Sequence, residues 1–126
     1  MIDHVSINVR NLSASGVFYD AIFGTIGLTR VVAKADSIGF GKTYPEFWLN
    51  ARPGSAPTAA DSGTHICLRA KSTDAVDAFY KAAIGAGGSD DGPPGMRPEY
   101  NDRYYAAFIR DPDGNRIEVV TFLTDG

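Results

Sequence analysis

The feature that most constrains this chain is an internal repeat. An alternating apolar pattern opens at Ile2-Asp3-His4-Val5, leads into a helical pattern, and continues through three short strand-like segments. After a stretch rich in Pro, Gly and Ser the same order begins again at Thr64-His65-Ile66. A chain of 126 residues that holds one unit twice is expected to build two similar layers around shared apolar surface. Runs of strands with only two helices favour α+β over a doubly wound parallel sheet.

The elements follow from periodicity. In Ile2 to Val9, Val5, Ile7 and Val9 point one way and His4, Ser6 and Asn8 the other, because side chains alternate along a strand. Asn11 or Ser13 can cap a helix whose apolar face is Val17, Phe18, Ala21 and Ile22, with Gly24 and Gly27 as stop signals. Strands are expected at Leu28 to Ala33, Ser37 to Gly41 and Glu46 to Asn50. Arg52 to Gly63 reads as a linker. In the second unit Thr64 to Ala70 alternates, Thr73 is the expected cap, and Val76, Phe79, Tyr80 and Ala83 form a helical face. Gly92 to Asn101 carries three prolines and two glycines and is expected to be an ordered loop. Arg103 to Arg110 and Asn115 to Phe122 are strands joined by the turn Asp111-Pro112-Asp113-Gly114. The expected organisation is one domain over 1–126, with module one about 1–51, a linker about 52–63 and module two about 64–126.

Net charge is −3, which leaves no basic footprint for nucleic acid. No apolar run approaches the roughly 20 residues that span a bilayer, so no membrane partner is expected. Met1 to His4 runs straight into the alternating pattern, without the basic and apolar regions of a secretory signal. The single cysteine, Cys67, cannot close an internal disulfide and suits a reducing cytoplasm, where the chain is expected.

The chain has two histidines, and they open the first strand of each unit at equivalent places. Their neighbours at even offsets, Ser6 and Asn8, then Cys67 and Arg69, are small or polar. The histidine faces should therefore line a wetter surface while Val5, Ile7, Ile66 and Leu68 pack inward. Glu118 sits mid-strand between Ile117 and Val119, where a carboxylate is costly unless paired or bound to a metal. Two imidazoles and a carboxylate can occupy one face of an ion and leave positions open. The residues alone leave a plainer alternative standing: structural histidines, with Glu118 paired to Arg116 or Arg69 across strands.

Several motifs carry a family resemblance: Ile2-Asp3-His4-Val5, Phe18-Tyr19, Gly63-Thr64-His65-Ile66 and Asp111-Pro112-Asp113-Gly114-Asn115-Arg116-Ile117-Glu118. With these the chain resembles the vicinal-oxygen-chelate superfamily, which includes glyoxalase I, extradiol dioxygenases, fosfomycin-resistance thiol transferases and bleomycin-binding proteins. The resemblance implies paired βαβββ modules that curl around a central cavity, and His4, His65 and Glu118 as metal ligands. It implies a divalent ion (Mn, Fe, Ni, Co or Zn), a small-molecule substrate with vicinal oxygens, and a homodimer. Trp48 stands where glyoxalase I places a fourth ligand, a glutamate. Glu46 has the same strand parity but lies two residues earlier, roughly 6–7 Å away. Efficient glyoxalase I activity is therefore not expected, and a different lyase or isomerase, a dioxygenase or a thiol transferase fits better. Trp48, Ser6 and Cys67 are candidate cavity residues, with a buried, inert thiol as the favoured reading of Cys67. Arg97, Tyr100 and Arg103 are candidate substrate contacts, and Glu46 and Tyr104 are candidates for proton transfer. Tyr44, Phe47 and Tyr105 read as core or interface. The alternative from another class is a metal-free protein that sequesters a small molecule, as bleomycin-binding proteins do.

Overall fold

The computed structural model describes residues 1–124. The first unit is β1 (Val5–Val9), α1 (Leu12–Gly24), β2 (Thr29–Ala33), β3 (Ser37–Gly41) and β4 (Phe47–Ala51). The second is β5 (His65–Arg69), α2 (Thr73–Gly85), β6 (Ser89–Met96), β7 (Tyr104–Arg110) and β8 (Arg116–Phe122). Each unit forms a four-stranded mixed sheet, ordered β1-β4-β3-β2 and β5-β8-β7-β6. In both, the first strand is an edge strand that pairs in parallel with the last. The fold is the expected α+β pair of βαβββ units.

Both helices begin on a side-chain cap. Asn11 Oδ1 accepts from Ala14 N at 3.0 Å, and Ser72 Oγ from Ala75 N at 3.1 Å. The second cap is Ser72 rather than Thr73. Ser72 is the last extended residue, at φ −156° and ψ 165°, whereas Thr73 is already helical. A cap must sit outside the helix for its oxygen to reach the third helical N–H.

The larger departure is β6. Gly92 to Met96 lies in a strand, despite Pro93 and Pro94. β6 is an edge strand bonded only to β7, and an edge tolerates the missing N–H of proline. The pairing also shifts register between Asp90 and Gly92 and again between Gly92 and Gly95, so the two prolines fall in an irregular stretch where the ladder is interrupted.

One apolar cluster draws on both units. Phe18, Tyr19, Ile22 and Phe23 of α1 meet Phe40, Phe47 and Leu49 of the first sheet, and Phe79, Ile109 and Ile117 of the second unit. Phe23 packs edge-on against Phe47 at 4.9 Å and tilted against Tyr19 at 5.0 Å. Each such fully buried side chain contributes about 1.5–3 kcal/mol relative to exposure. α1 also packs on α2, so the helices lie between the sheets and the sheets' other faces point outward.

The turn Asp111–Asn115 ties the units together with polar contacts. Tyr19 OH donates to Asp111 Oδ2 at 2.7 Å, and Arg10 Nε to Asp113 Oδ1 at 2.8 Å. Asn115 Nδ2 donates to Asn8 O at 3.0 Å. The turn thereby anchors β8, which carries Glu118, against the end of β1. No described helix is long and apolar enough to cross a membrane.

Candidate metal centre

The register explains which positions of the two units correspond. Ser6, two residues after His4, pairs with Trp48. Cys67, two residues after His65, pairs with Glu118. Trp48 is therefore the structural counterpart of Glu118, and Glu46 that of Arg116. β4 pairs with β1 and with β3 without a register shift, so no bulge carries Glu46 to the Trp48 position.

Alternation delivers the expected faces. His4, Ser6, Asn8, His65, Cys67 and Arg69 are all exposed. Glu118 is the exception, with only 3% of its surface exposed. Its partners are neither Arg116 nor Arg69. Arg116 Nε donates to Asp91 Oδ2 at 2.8 Å, and Arg69 lies over the Phe122 ring. Glu118 Oε1 instead stands 3.0 Å from His65 Nε2, and Tyr104 OH donates to Oε2 in a short hydrogen bond.

The tautomer of His65 gives this contact its meaning. Nδ1 lies 3.1 Å from the Gly63 carbonyl, which can only accept, so Nδ1 carries a proton. In the neutral ring Nε2 then presents a lone pair to a carboxylate oxygen. Two acceptors at this distance require a proton or a metal ion to reconcile them. The spacing fits a metal: two donors about 2.1 Å from one ion and about 90° apart stand about 3.0 Å from each other. His4 is oriented in the same manner, with Nδ1 at 2.7 Å from Asp3 Oδ1, which leaves Nε2 available. Tyr44 OH also donates to Asp3, at 2.9 Å, and the hydrogen bond with His4 is the larger cause of Asp3's lowered pKa.

The structure brings His65 and Glu118 together but does not bring His4 to them. His4 and His65 line one groove of about 400 Å³ that also includes Glu46 and Cys67. Yet among the described residues no three His, Cys, Asp or Glu side chains are placed to hold a single ion. β1 and β5 are both edge strands, and nothing in the sheet pairing draws them together.

The other candidates fall around this pair. Ser6 lines a smaller pocket, about 290 Å³, that also reaches His65. The Trp48 ring packs against Gly39: a Cβ there would stand 3.1 Å from the indole and 2.8 Å from Pro45. Cys67 is exposed, contrary to the buried thiol expected, because the His65 face of β5 looks into the groove and not into the core. Desolvation and, next, the Glu118 charge push its pKa up to about 12, so it stays a thiol. Tyr104 is likewise raised, first by desolvation and then by its bond to Glu118. Tyr100 stacks edge-on against Tyr104 at 5.0 Å. Arg97 lies 5.6 Å over Phe108 and donates to the Pro93 carbonyl, and Arg103 is exposed just before β7. Phe47 is core, and Tyr105 packs against the core with its hydroxyl on Asp77, whereas Tyr44 is exposed and serves Asp3. Sequence reasoning missed Asp3 as the residue that orients His4, although it is the adjacent carboxylate. It also missed Phe108, whose ring meets His65 at 6.0 Å from the strand position opposite Glu118.

A model of the Glyoxalase/Bleomycin resistance protein/Dioxygenase superfamily matches residues 1–119. The chain belongs to that superfamily. A glyoxalase/bleomycin resistance protein of Albidiferax ferrireducens T118 is 33% identical, with a TM-score of 0.81 over 94% of this chain and 96% of that one. The metallothiol transferase FosB of Shouchella clausii (strain KSM-K16) is 29% identical over 121 residues, 95% of this chain and 79% of FosB. The fosfomycin resistance protein FosX of Mesorhizobium loti shares the superfamily fold, with a TM-score of 0.69 and 20% identity over 98% of this chain and 92% of that one.

Proposed function

We propose that this protein is a divalent-metal-dependent enzyme of the glyoxalase/dioxygenase superfamily acting on a small substrate with vicinal oxygens. The observation that carries the reading is the His65 Nε2–Glu118 Oε1 contact of 3.0 Å, in which a neutral ring with its proton on Nδ1 would turn a lone pair toward the carboxylate. His65 and Glu118 are two of the ligands. His4 is the third, with its ring already set by Asp3. An ion there would act as a Lewis acid toward the substrate's paired oxygens. Tyr104 fixes the Glu118 carboxylate through Oε2, and Trp48 forms an apolar wall at the position where a carboxylate would be the fourth ligand. The similarity to a metallothiol transferase supports metal dependence and makes thiol transfer one of the reactions to test.

His4 is completed in this reading by a second copy of the chain: a homodimer sets the His4 face of one copy against the His65 and Glu118 of the other. Exposed Phe122 and Leu123 supply apolar surface for such a contact. The cytoplasm is the compartment that suits the free Cys67.

The test is metal content. Protein made without a His-tag or chelator, and reconstituted with Mn²⁺, Ni²⁺ or Zn²⁺, should hold about one ion per chain. His65→Ala, Glu118→Gln and His4→Ala should each abolish tight binding. Full retention in His65→Ala and Glu118→Gln would remove the site. One observation favours a second reading, a metal-free binding protein: His4 stands apart from the pair within one chain. In that case a proton bridges His65 and Glu118, and reconstitution finds no stoichiometric ion with any metal.

A further inference from the structure

We propose that the cleft beside the metal-site groove binds small amphipathic organic anions, an apolar body bearing a carboxylate or phosphate. The cleft has a volume of about 570 Å³ and lies where the two units meet, between the end of α1 and the β5–α2 connection. This is the size range of small-molecule sites. Ile26, Leu28 and Leu68 supply apolar floor, and Lys42, Arg69 and Lys71 supply positive charge.

The charge arrangement selects the ligand. The chain as a whole is acidic, at −3, yet this cleft collects three cations against one carboxylate, Glu46. Among the described residues Lys42 and Lys71 enter no ion pair. Arg69 lies 4.7 Å over Phe122 and, among the described residues, enters no ion pair. Lys42 and Lys71 also share a second hollow, of about 530 Å³, next to Ile26. Two unpaired ammonium groups therefore flank one apolar surface from opposite units. An apolar ligand without charge would leave them unanswered, and a bare inorganic anion would leave the floor wet.

The cleft and the metal-site groove share Leu28, Glu46 and Leu68. A ligand with its anion at Lys42 and Lys71 thus has a path toward His65 along Leu28 and Leu68, past the Glu46 carboxylate. The assignment of its far end as substrate rests on the proposed metal chemistry, whereas binding in the cleft does not.

The probe is 1-anilinonaphthalene-8-sulfonate, titrated by fluorescence into metal-free and Mn²⁺-treated protein, with displacement by decanoate and by decanol. Wild type should bind the dye saturably in both forms, weaken with salt, and release it to decanoate but not to decanol. Lys42→Gln/Lys71→Gln should weaken binding about tenfold or more, Lys42→Arg/Lys71→Arg should retain it, and Lys81→Gln, on the exposed surface of α2, should leave it unchanged. Unaltered affinity in the double glutamine variant, equal displacement by decanol, or no saturable binding would each overturn the proposal. Metal content measured on the same samples separates the two readings: absence of dye binding in Mn²⁺-treated protein that holds its ion refutes the cleft alone, and dye binding in Mn²⁺-treated protein that has taken up no ion refutes the metal site alone.

Discussion

Tyr19→Phe isolates the polar tie between the two units. Tyr19 is fully buried among Phe18, Phe23, Phe40 and Phe47, and its hydroxyl donates to Asp111 at 2.7 Å. Phenylalanine keeps the ring and removes only the donor. Asp111 is buried too, and it retains Asn115 Nδ2 at 2.9 Å, Asn115 N at 2.8 Å and Asp113 N at 2.9 Å. The loss is therefore one charge-assisted hydrogen bond and not a stranded carboxylate, about 1.5–3 kcal/mol. For a domain of this length that lowers Tm by roughly 5–12 °C. The pH dependence carries a sign. Burial raises the Asp111 pKa above its ordinary 3.8, against the pull of its hydrogen bonds. Between those two values the native state holds more protons than the unfolded chain, so this contribution to stability is full below the ordinary value and is lost as pH rises through the raised one. Asp111→Asn removes that component, and its stability should fall less with rising pH across this window than that of the wild type. Denaturant midpoints of wild type and both variants, measured from about pH 3.5 to pH 7, test both parts. A Tyr19→Phe midpoint equal to wild type at neutral pH, or parallel pH profiles for wild type and Asp111→Asn, would refute the reasoning.

Gly39→Ala places a Cβ 3.1 Å from the Trp48 ring and 2.8 Å from Pro45 Cβ. Overpacking should cost about 1–3 kcal/mol and move the emission of Trp48, the chain's single tryptophan, whereas an unchanged spectrum would mean the indole does not rest there. Wild type should isomerise the methylglyoxal–glutathione hemithioacetal poorly with every divalent metal, since the absence of a positioned base costs about 10²–10⁴-fold. Trp48→Glu, which restores a carboxylate opposite Ser6, should raise that rate; robust wild-type turnover lost in Glu46→Gln would contradict the strand register. Sedimentation at tens of micromolar, roughly the range of ordinary specific association, should show a dimer, and a monomer under those conditions would count against the shared site.

Local periodicity determined a large part of this protein. The alternation in Ile2 to Val9 and Thr64 to Ala70 specifies which side chains share a face, because a strand offers only two directions. The repeat places His4 and His65 at matching positions, and the spacing of Trp48 and Glu118 follows from the same parity. What the neighbours do across space is not periodic and was decided by the tertiary fold. β6 accepts Pro93 and Pro94 because it lies at a sheet edge with an irregular register. Glu118 takes His65 and Tyr104, because Asp91 has already claimed Arg116 and Phe122 holds Arg69. Cys67 is exposed because β5 is an edge strand whose second face looks into a groove. The same edge leaves His4 apart from His65 and Glu118. Backbone alternation sets the direction of each side chain, but the separation of β1 from β5 depends on how two helices and one polar turn pack the units together.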